Sequence, residues 1–327
     1  MTTEHFAIGV DLGGTKIELA LVNRLGQILK KLKVATPAKE GVTAVIREII
    51  SATQALLQGT EAHPLGLGIG VAGQIDPAGE TVRFAPNLGW HDVPLQAELQ
   101  QQLELPVALL NDVRAATWGE WLFGAGKDCA DLVCLFIGTG IGGSVVSGGR
   151  MLCGHSNSAG ELGHLTIDLH GPLCTCGNHG CLEALAGGWA IARRAAQAVA
   201  ADPRAGKELI RRAAGQGGNI TAATVASAEL AGDPLASQIV TEVAEALIAG
   251  AVGLVNAFNP ERLILGGGVI EGLPELVPRI AQGVKQRSLK VASTKLQVLH
   301  AEQHNDAGVI GAAAFALQSV IGNEVHS

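Results

Sequence analysis

His164, Cys174, Cys176 and Cys181 lie within eighteen positions of one another, as H-x9-C-x-C-x4-C. The three cysteines share a polar, glycine-rich loop, GPLCTCGNHGC, in which buried reduced thiols are a poor explanation for their spacing. Three thiolates and an imidazole suit a tetrahedral Zn²⁺, and four protein ligands close its shell, so the expected role is structural. His170 and His179 are rival fourth ligands. Cys153 falls outside the pattern, and Cys129 and Cys134 read as core cysteines.

A second chemistry is carried by Asp11-Leu12-Gly13-Gly14-Thr15-Lys16. Between two strands, such a turn can converge backbone N–H groups on phosphate oxygens. Glycine permits a left-handed bend and a close anion approach. Thr15 adds a hydroxyl donor and Lys16 a positive charge, and Asp11 is placed to hold a hydrated Mg²⁺. Gly-Gly in an ordinary tight hairpin accounts for the pattern equally well, until a second such turn, Gly138-Thr139-Gly140, is found in the second half. Both Gly68-Ile-Gly70-Val-Ala-Gly73 and Gly138-Thr-Gly140-Ile-Gly142-Gly143 satisfy GxGxxG. A dinucleotide site needs a helix next, whereas a turn follows one and a β-branched run the other. There is no GxxxxGK[ST].

The elements that must position these residues can be read from periodicity. Residues 6–11, 16–22 and 27–35 read as an antiparallel meander, and 42–57 as a helix with apolar residues at helical spacing. A strand at 64–72, a helix at 95–103, a strand at 107–110 and a helix at 113–123 follow. The pattern restarts with strands at 132–137 and 144–147, so a three-stranded meander with a glycine-rich first turn occurs at 6–35 and again at 131–152. Helices are expected at 182–201, 207–214, 221–230, 234–258, 273–287 and 308–318, with a strand at 262–265. The junction near 115–130 reads as a helix, hence two lobes joined by a hinge. Two phosphate-gripping hairpins facing each other across a cleft is the arrangement of an actin-like, sugar-kinase architecture.

Composition agrees with a folded chain that binds small molecules. The 327 residues include 44 glycines and no tyrosine, aromatics are 3 % and the net charge is -7. Glycine far above background demands close backbone approaches. An acidic chain poor in aromatics lacks the phosphate-neutralising patch and the stacking platform of nucleic-acid binding. The N-terminus has no signal-peptide pattern. The longest uncharged apolar stretch near a helix, residues 246–258, is shorter than the roughly 20 residues of a membrane span. A soluble, cytoplasmic protein with reduced cysteines is expected, with no nucleic-acid or membrane partner.

DLGGTK, PNLGW, LLNDVRAA, IGTGIGG, AGELGH, CTCGNHGCLEA and LILGGGV occur in the order found in ROK proteins, and the chain resembles that family over essentially its whole length. The family holds sugar kinases and sugar-responsive repressors. The repressors carry an N-terminal helix-turn-helix, and with DLGGTK beginning at residue 11 no such domain is expected here. The resemblance implies an α/β, actin-like/ribonuclease H-like two-lobe sugar kinase fold with an interlobe cleft. Residues 1–115 would form the small lobe, with a C-terminal helix at 305–321 packing back onto it. Residues 116–304 would form the large lobe with the zinc loop and the adenosine-binding loop.

The resemblance makes Asp112 the catalytic base and Asn111 a sugar ligand, although Asn-Asp after a strand is also an ordinary helix N-cap. Glu161, His164 and Glu183 would bind sugar hydroxyls. For Glu183 the plainer reading is a solvated first-turn helix residue. His164 would turn one ring nitrogen to zinc and the other to sugar. Gly73 and Asn87 resemble further sugar contacts, whereas Trp90 is expected to pack beneath its loop. Gly13, Gly14, Thr15, Lys16, Gly138, Thr139 and Gly140 would hold phosphates, with Asp11 on Mg²⁺. Gly267 and Gly268, in the Gly266-Gly267-Gly268 run, resemble the adenosine-side loop. The expected activity is ATP-dependent phosphorylation of a hexose 6-hydroxyl, glucose first. N-acetylmannosamine, N-acetylglucosamine or fructose are alternatives, and a non-catalytic sugar sensor is the rival from another class. Family kinases are homodimers or homotetramers.

Overall fold

A computed structural model describes residues 5–214 and 218–324. The chain forms two compact units. The first takes the chain up to Asp128, the segment Cys153–Ala159 and the chain from Glu302 onward. The second takes Cys129–Leu152 and Gly160–Ala301. The division therefore falls after the helix at the expected junction rather than at residue 115, because that helix packs on the C-terminal helix of the first unit.

The first unit opens with β1 (Phe6–Leu12), β2 (Lys16–Asn23) and β3 (Ile28–Ala35), an antiparallel meander as expected. Helix α1 (Val42–Leu57) matches its apolar periodicity and buries Val45, Ile46, Ile49 and Leu56. It crosses to β4 (Pro64–Val71), parallel to β1. Next comes a feature the sequence did not announce, a small sheet of β5 (Gln74–Ile75), β6 (Val82–Ala85) and β7 (Trp90–Val93). Strands of two and four residues with polar central positions carry too little alternation to be recognised. Helix α2 (Leu95–Leu103), β8 (Val107–Asn111) and α3 (Asp112–Phe123) complete the run, and the sheet order is β3-β2-β1-β4-β8.

One face of this sheet packs with α1 and α2, the other with α3 and the C-terminal helix Ala307–Glu324. Contact on the second face is backbone to backbone. A Cβ on Gly9 would lie 1.8 Å from the Val309 carbonyl oxygen, and one on Gly68 1.8 Å from that of Ala312. A Cβ on Gly311 would come within 1.7 Å of the Ala115 carbonyl oxygen. These glycines serve proximity, as the composition required.

The second unit repeats the plan. Strands β9 (Leu132–Ile137), β10 (Ile141–Ser147) and β11 (Arg150–Met151) are antiparallel neighbours. Helices α4 (Leu182–Ala186), α5 (Gly188–Ala201), α6 (Lys207–Ala214), α7 (Ala222–Leu230) and α8 (Pro234–Phe258) follow. Then come β12 (Arg262–Gly266), α9 (Gly268–Gly272), α10 (Leu276–Arg287), α11 (Lys290–Ser293) and β13 (Gln297–His300). The order β11-β10-β9-β12-β13 has the same pattern of antiparallel and parallel neighbours as the first sheet.

Two of the expected helices differ in the structure. The helix expected over 182–201 breaks at Gly187, so that the Gly188 N–H can donate to the Gly138 carbonyl at 2.9 Å. The helix expected over 273–287 starts at Leu276, and a separate short helix, Gly268–Gly272, precedes it. Helix α8 spans the expected 25 residues, Pro234–Phe258, and is long and apolar enough to cross a membrane. Ile239, Val243, Leu247, Leu254 and Val255 are buried in the second unit's core, so the helix is a core element.

Candidate active site

In the first unit the residues gather at the ends of β1, β4 and β8. The loop after β1 is closed by the Gly13 N–H donating to the Lys16 carbonyl at 3.0 Å. None of Gly13, Gly14, Gly138 and Gly140 has a left-handed φ, contrary to the expectation of a left-handed bend. Gly14 is needed for room, since a Cβ would sit 2.6 Å from the Asn87 carbonyl oxygen and 2.8 Å from its Cβ. Asn87, expected at the sugar, thus packs against the Gly13-Gly14 turn. A residue the sequence gave no hint of, Thr36, fastens that turn. Its hydroxyl donates to the Gly13 carbonyl at 2.7 Å and its N–H to the Thr15 carbonyl at 3.1 Å.

Lys16 leads into β2 with Nζ 3.3 Å from Glu18, a buried carboxylate also paired with Lys33 at 3.0 Å. Burial opposes the charge on Glu18, yet Lys33 and then Lys16 hold its pKa below the usual value. Asp11 is the cross-strand partner of Glu18. Burial raises its carboxyl, Lys16 pulls it back, Glu18 adds to the rise and Lys31 opposes it. An anion whose charge is costly in this way suits a cation ligand. Trp90 is buried at 1 % exposure, a packing residue as expected.

Asn111 ends β8 and caps α3. Its Oδ1 accepts from the Val113 and Arg114 N–H groups at 3.0 and 3.2 Å. Its Nδ2 donates to Asp112 Oδ1 at 2.9 Å and to the Gly73 carbonyl at 3.2 Å. All four hydrogen bonds of the amide are made. The capping reading of Asn111 therefore holds, and the side chain positions Asp112 and Gly73. Asp112 Oδ1 also accepts from the Val113 N–H at 2.9 Å, at a helix N-terminus where the dipole favours the carboxylate. Gly73 has no space for a side chain, because a Cβ would meet the Phe84 carbonyl oxygen at 2.6 Å.

In the second unit the turn after β9 is the counterpart of the first loop. The Gly138 N–H donates to the Gly140 carbonyl at 2.9 Å, and the Trp189 N–H to the Thr139 carbonyl at 2.9 Å. Glu183, on α4, is half-buried and braces this turn. Its Oε2 accepts from the Ile141 N–H at 2.8 Å, and its Oε1 from Trp189 Nε1 at 3.2 Å and Thr175 Oγ1 at 3.3 Å. It is therefore not a solvated helix residue. A carboxylate offers about four lone-pair sites, so three taken leave one for a ligand hydroxyl. Trp189 and Thr175 were not singled out, although a Trp just after Gly187-Gly188 was the available signal. Gly267 packs on the same turn, with φ of 90° and its Cβ position 2.6 Å from the Ile137 carbonyl oxygen. Gly268, next to it, has open space around its Cβ position.

His164 ends a 3₁₀ turn, Leu162–His164, entered through exposed Glu161, whose carbonyl accepts from the His164 N–H at 3.1 Å. A Cβ on Gly163 would lie 2.0 Å from the Ile141 carbonyl oxygen, so the turn lies flush on β10 beside the Gly138-Thr139-Gly140 turn. The ligand atoms of His164, Cys174, Cys176 and Cys181 all lie within 4.8 Å of one another. Cys176 and Cys181 Sγ are 3.7 Å apart, and Cys174 Sγ is 3.6 Å from His164 Nδ1. A regular tetrahedron of sulfurs about 2.3 Å from zinc has edges of about 3.8 Å. Among the rivals, His179 turns its Nδ1 to the Gly171 carbonyl at 3.1 Å, and His170 is outside the group. Cys129 and Cys134 are buried as expected. Burial, then the neighbouring Cys176 and Cys174, pushes the Cys181 thiol up to about 12, whereas the Asn178 backbone N–H lowers Cys176. A bound cation relieves that conflict, so the donor set fits a metal.

A family model described as the ROK family matches residues 7–319. The glucokinase of Streptomyces coelicolor is 36 % identical over 311 residues, 94 % of this chain and 96 % of that protein. An N-acetylmannosamine kinase of Shigella boydii is 34 % identical over 314 residues, 94 % of this chain and 97 % of that one. The crystal structure of a ROK family glucokinase from Streptomyces griseus in complex with glucose and AMPPNP matches with a TM-score of 0.83 at 35 % identity, covering 96 % of this chain and 99 % of its own. With the match running from β1 into the C-terminal helix, this chain belongs to the ROK family.

Proposed function

We propose that the protein is an ATP-dependent hexose kinase that phosphorylates the 6-hydroxyl of glucose. N-acetylmannosamine, N-acetylglucosamine and fructose are the competing acceptors of the same reaction. The observation that carries the reading is Asp112, fixed at the N-terminus of α3 by Asn111 and the Val113 N–H. The sugar 6-oxygen attacks the γ-phosphorus in line while its proton passes to the Asp112 carboxylate. The bond to the bridging oxygen breaks and its electron pair leaves on ADP.

Glu161, Glu183, His164, Asn87 and Gly73 are assigned to the sugar, with Asn111 acting through Asp112. Gly13, Gly14, Thr15, Lys16, Gly138, Thr139 and Gly140 are assigned to the phosphates, and Gly267 and Gly268 to the adenosine. Asp11 would hold Mg²⁺, which neutralises phosphate charge when bound. His164, Cys174, Cys176 and Cys181 would hold Zn²⁺, which lets three thiolates coexist and fixes the imidazole. The enzyme is assigned to the cytoplasm, as a homodimer or homotetramer.

An ADP-production assay across a sugar panel tests the reading. Glucose should give the highest kcat/KM. Asp112→Asn should abolish transfer while calorimetry still detects glucose binding. Sugar binding without ADP formation by the unaltered protein would favour the sensor, and full activity of the variant would remove Asp112 from its role.

A further inference from the structure

Arg114 stands two residues after Asp112 on α3, where an arginine ordinarily lies on a solvated face, yet it is only 6 % exposed. Its backbone N–H donates to Asn111 Oδ1 at 3.2 Å, so its main chain takes part in the cap that fixes Asp112. Its guanidinium grips Cys153–Ala159, the segment that the first unit takes from between two stretches of the second. It donates to the Ala159 carbonyl at 2.9 Å, to the Cys153 carbonyl at 3.4 Å and to Asn157 Oδ1. Asn157 holds the other side, donating through Nδ2 to the Asp76 carbonyl at 2.9 Å and the Ile75 carbonyl at 3.4 Å. The segment closes on itself through the Ala159 N–H and the Cys153 carbonyl at 3.0 Å.

The chain then turns at once. Gly160 has φ of 99°, and its Cβ position is 3.0 Å from the Gly143 carbonyl oxygen, so a side chain there is both strained and crowded. Glu161 comes next. Two peptide links separate it from the carbonyl that Arg114 grips, about 7 Å of chain at most. The same residue thus anchors the approach to Glu161 with its side chain and the cap of Asp112 with its backbone.

We propose that Arg114, through Asn157, is a positioning residue for the acceptor sugar. It ties the loop that delivers Glu161 to the helix that carries Asp112. This rests on the kinase reading above. Lysine cannot replace the guanidinium here, because one ammonium cannot span two carbonyls and an amide in a fixed fork.

Asn157→Gly is the cleanest probe. Asn157 has φ of 57°, which glycine adopts without strain, and the substitution removes the acceptor and both donors. The glucose KM and the calorimetric glucose Kd should both rise about ten- to hundredfold, while the ATP KM stays within about twofold. Arg114→Met should move the same constants, Arg114→Lys should restore little, and the double variant should be no worse than the larger single one. A structural role alone would lower the active fraction and leave both KM values unchanged. Wild-type glucose KM and Kd in Asn157→Gly, or equal shifts for both substrates, would overturn the proposal. Wild-type protein that binds glucose but forms no ADP would sink the kinase reading alone, since the Kd comparison still reads the clamp. Wild-type protein that binds no sugar would overturn both.

Discussion

Replacing Glu183 by glutamine tests its bracing of the Gly138-Thr139-Gly140 turn alongside its proposed contact with a sugar hydroxyl. Glutamine keeps the shape and offers one acceptor where the carboxylate has two oxygens in use. With its oxygen toward Trp189 and Thr175, the new NH₂ faces the Ile141 N–H, which the carboxylate accepts at 2.8 Å. With the amide reversed, the NH₂ faces Trp189 Nε1 instead. Either way one N–H loses its acceptor, at a cost of about 1–3 kcal/mol. For a unit of this size that corresponds to a loss of about 3–9 °C in Tm. The loosened turn should also raise the ATP KM together with the glucose KM. Glu161→Gln is the control. Glu161 is exposed and contributes its backbone carbonyl to the His164 turn, which the substitution retains. It should raise the glucose KM, leaving Tm and the ATP KM unchanged. Scanning calorimetry and initial-rate kinetics on the two variants decide the matter. An unchanged Tm in Glu183→Gln, or an equal drop in Glu161→Gln, would refute the bracing role.

Metal analysis of the purified protein should give about one zinc per chain, and Cys176→Ser should lose most of it, whereas zinc retained at full stoichiometry would remove Cys176 from the ligand set. Asp11→Asn should abolish turnover yet stabilise the ligand-free protein at pH 7. Burial raises the folded-state pKa of Asp11 above its unfolded value, so the charged form destabilises the fold. That penalty is full above the folded pKa and disappears once pH falls below the unfolded one. The urea midpoint of Asp11→Asn should exceed that of the unaltered protein at pH 7 and converge with it near pH 3. A lower midpoint at pH 7 would contradict this sign. Asp112→Asn, by contrast, should keep glucose binding while transfer is lost.

The sequence made the large regular elements legible because their burial is periodic. Helix α1 presents Val45, Ile46, Ile49 and Leu56 on one side, and its predicted bounds match. The repeated meander could be read because each copy has an apolar run, a glycine turn and a second run. The clustering of His164, Cys174, Cys176 and Cys181 was legible because local spacing brings them together. The β5–β7 sheet was not legible, because its strands are too short to show a period. The break at Gly187 answers to the Gly138 carbonyl, a partner far away in the chain. Thr36 and Arg114 were missed for the same reason, since a threonine after a strand and an arginine on a helix have unremarkable local contexts. Their functions lie in the carbonyls they reach, and only the folded chain reveals those. The turn glycines were read as left-handed, and they are not, although Gly14 and Gly140 are crowded. Composition reports that a backbone is approached closely, and it does not report by what.

The backbone contacts of Gly9 and Gly68 with the C-terminal helix bear on the order in which the protein can be made. β1 and β4 emerge early from the ribosome, but the surface they share awaits Val309 and Ala312, which are translated near the end. The second unit is built almost entirely from residues between Cys129 and Ala301, and every one of them is available before that helix appears. Its core can therefore consolidate while one face of the amino-terminal sheet still lacks the C-terminal helix. Released chains truncated just short of Ala307 should accordingly be protease-resistant in the second unit and more readily cleaved in the first.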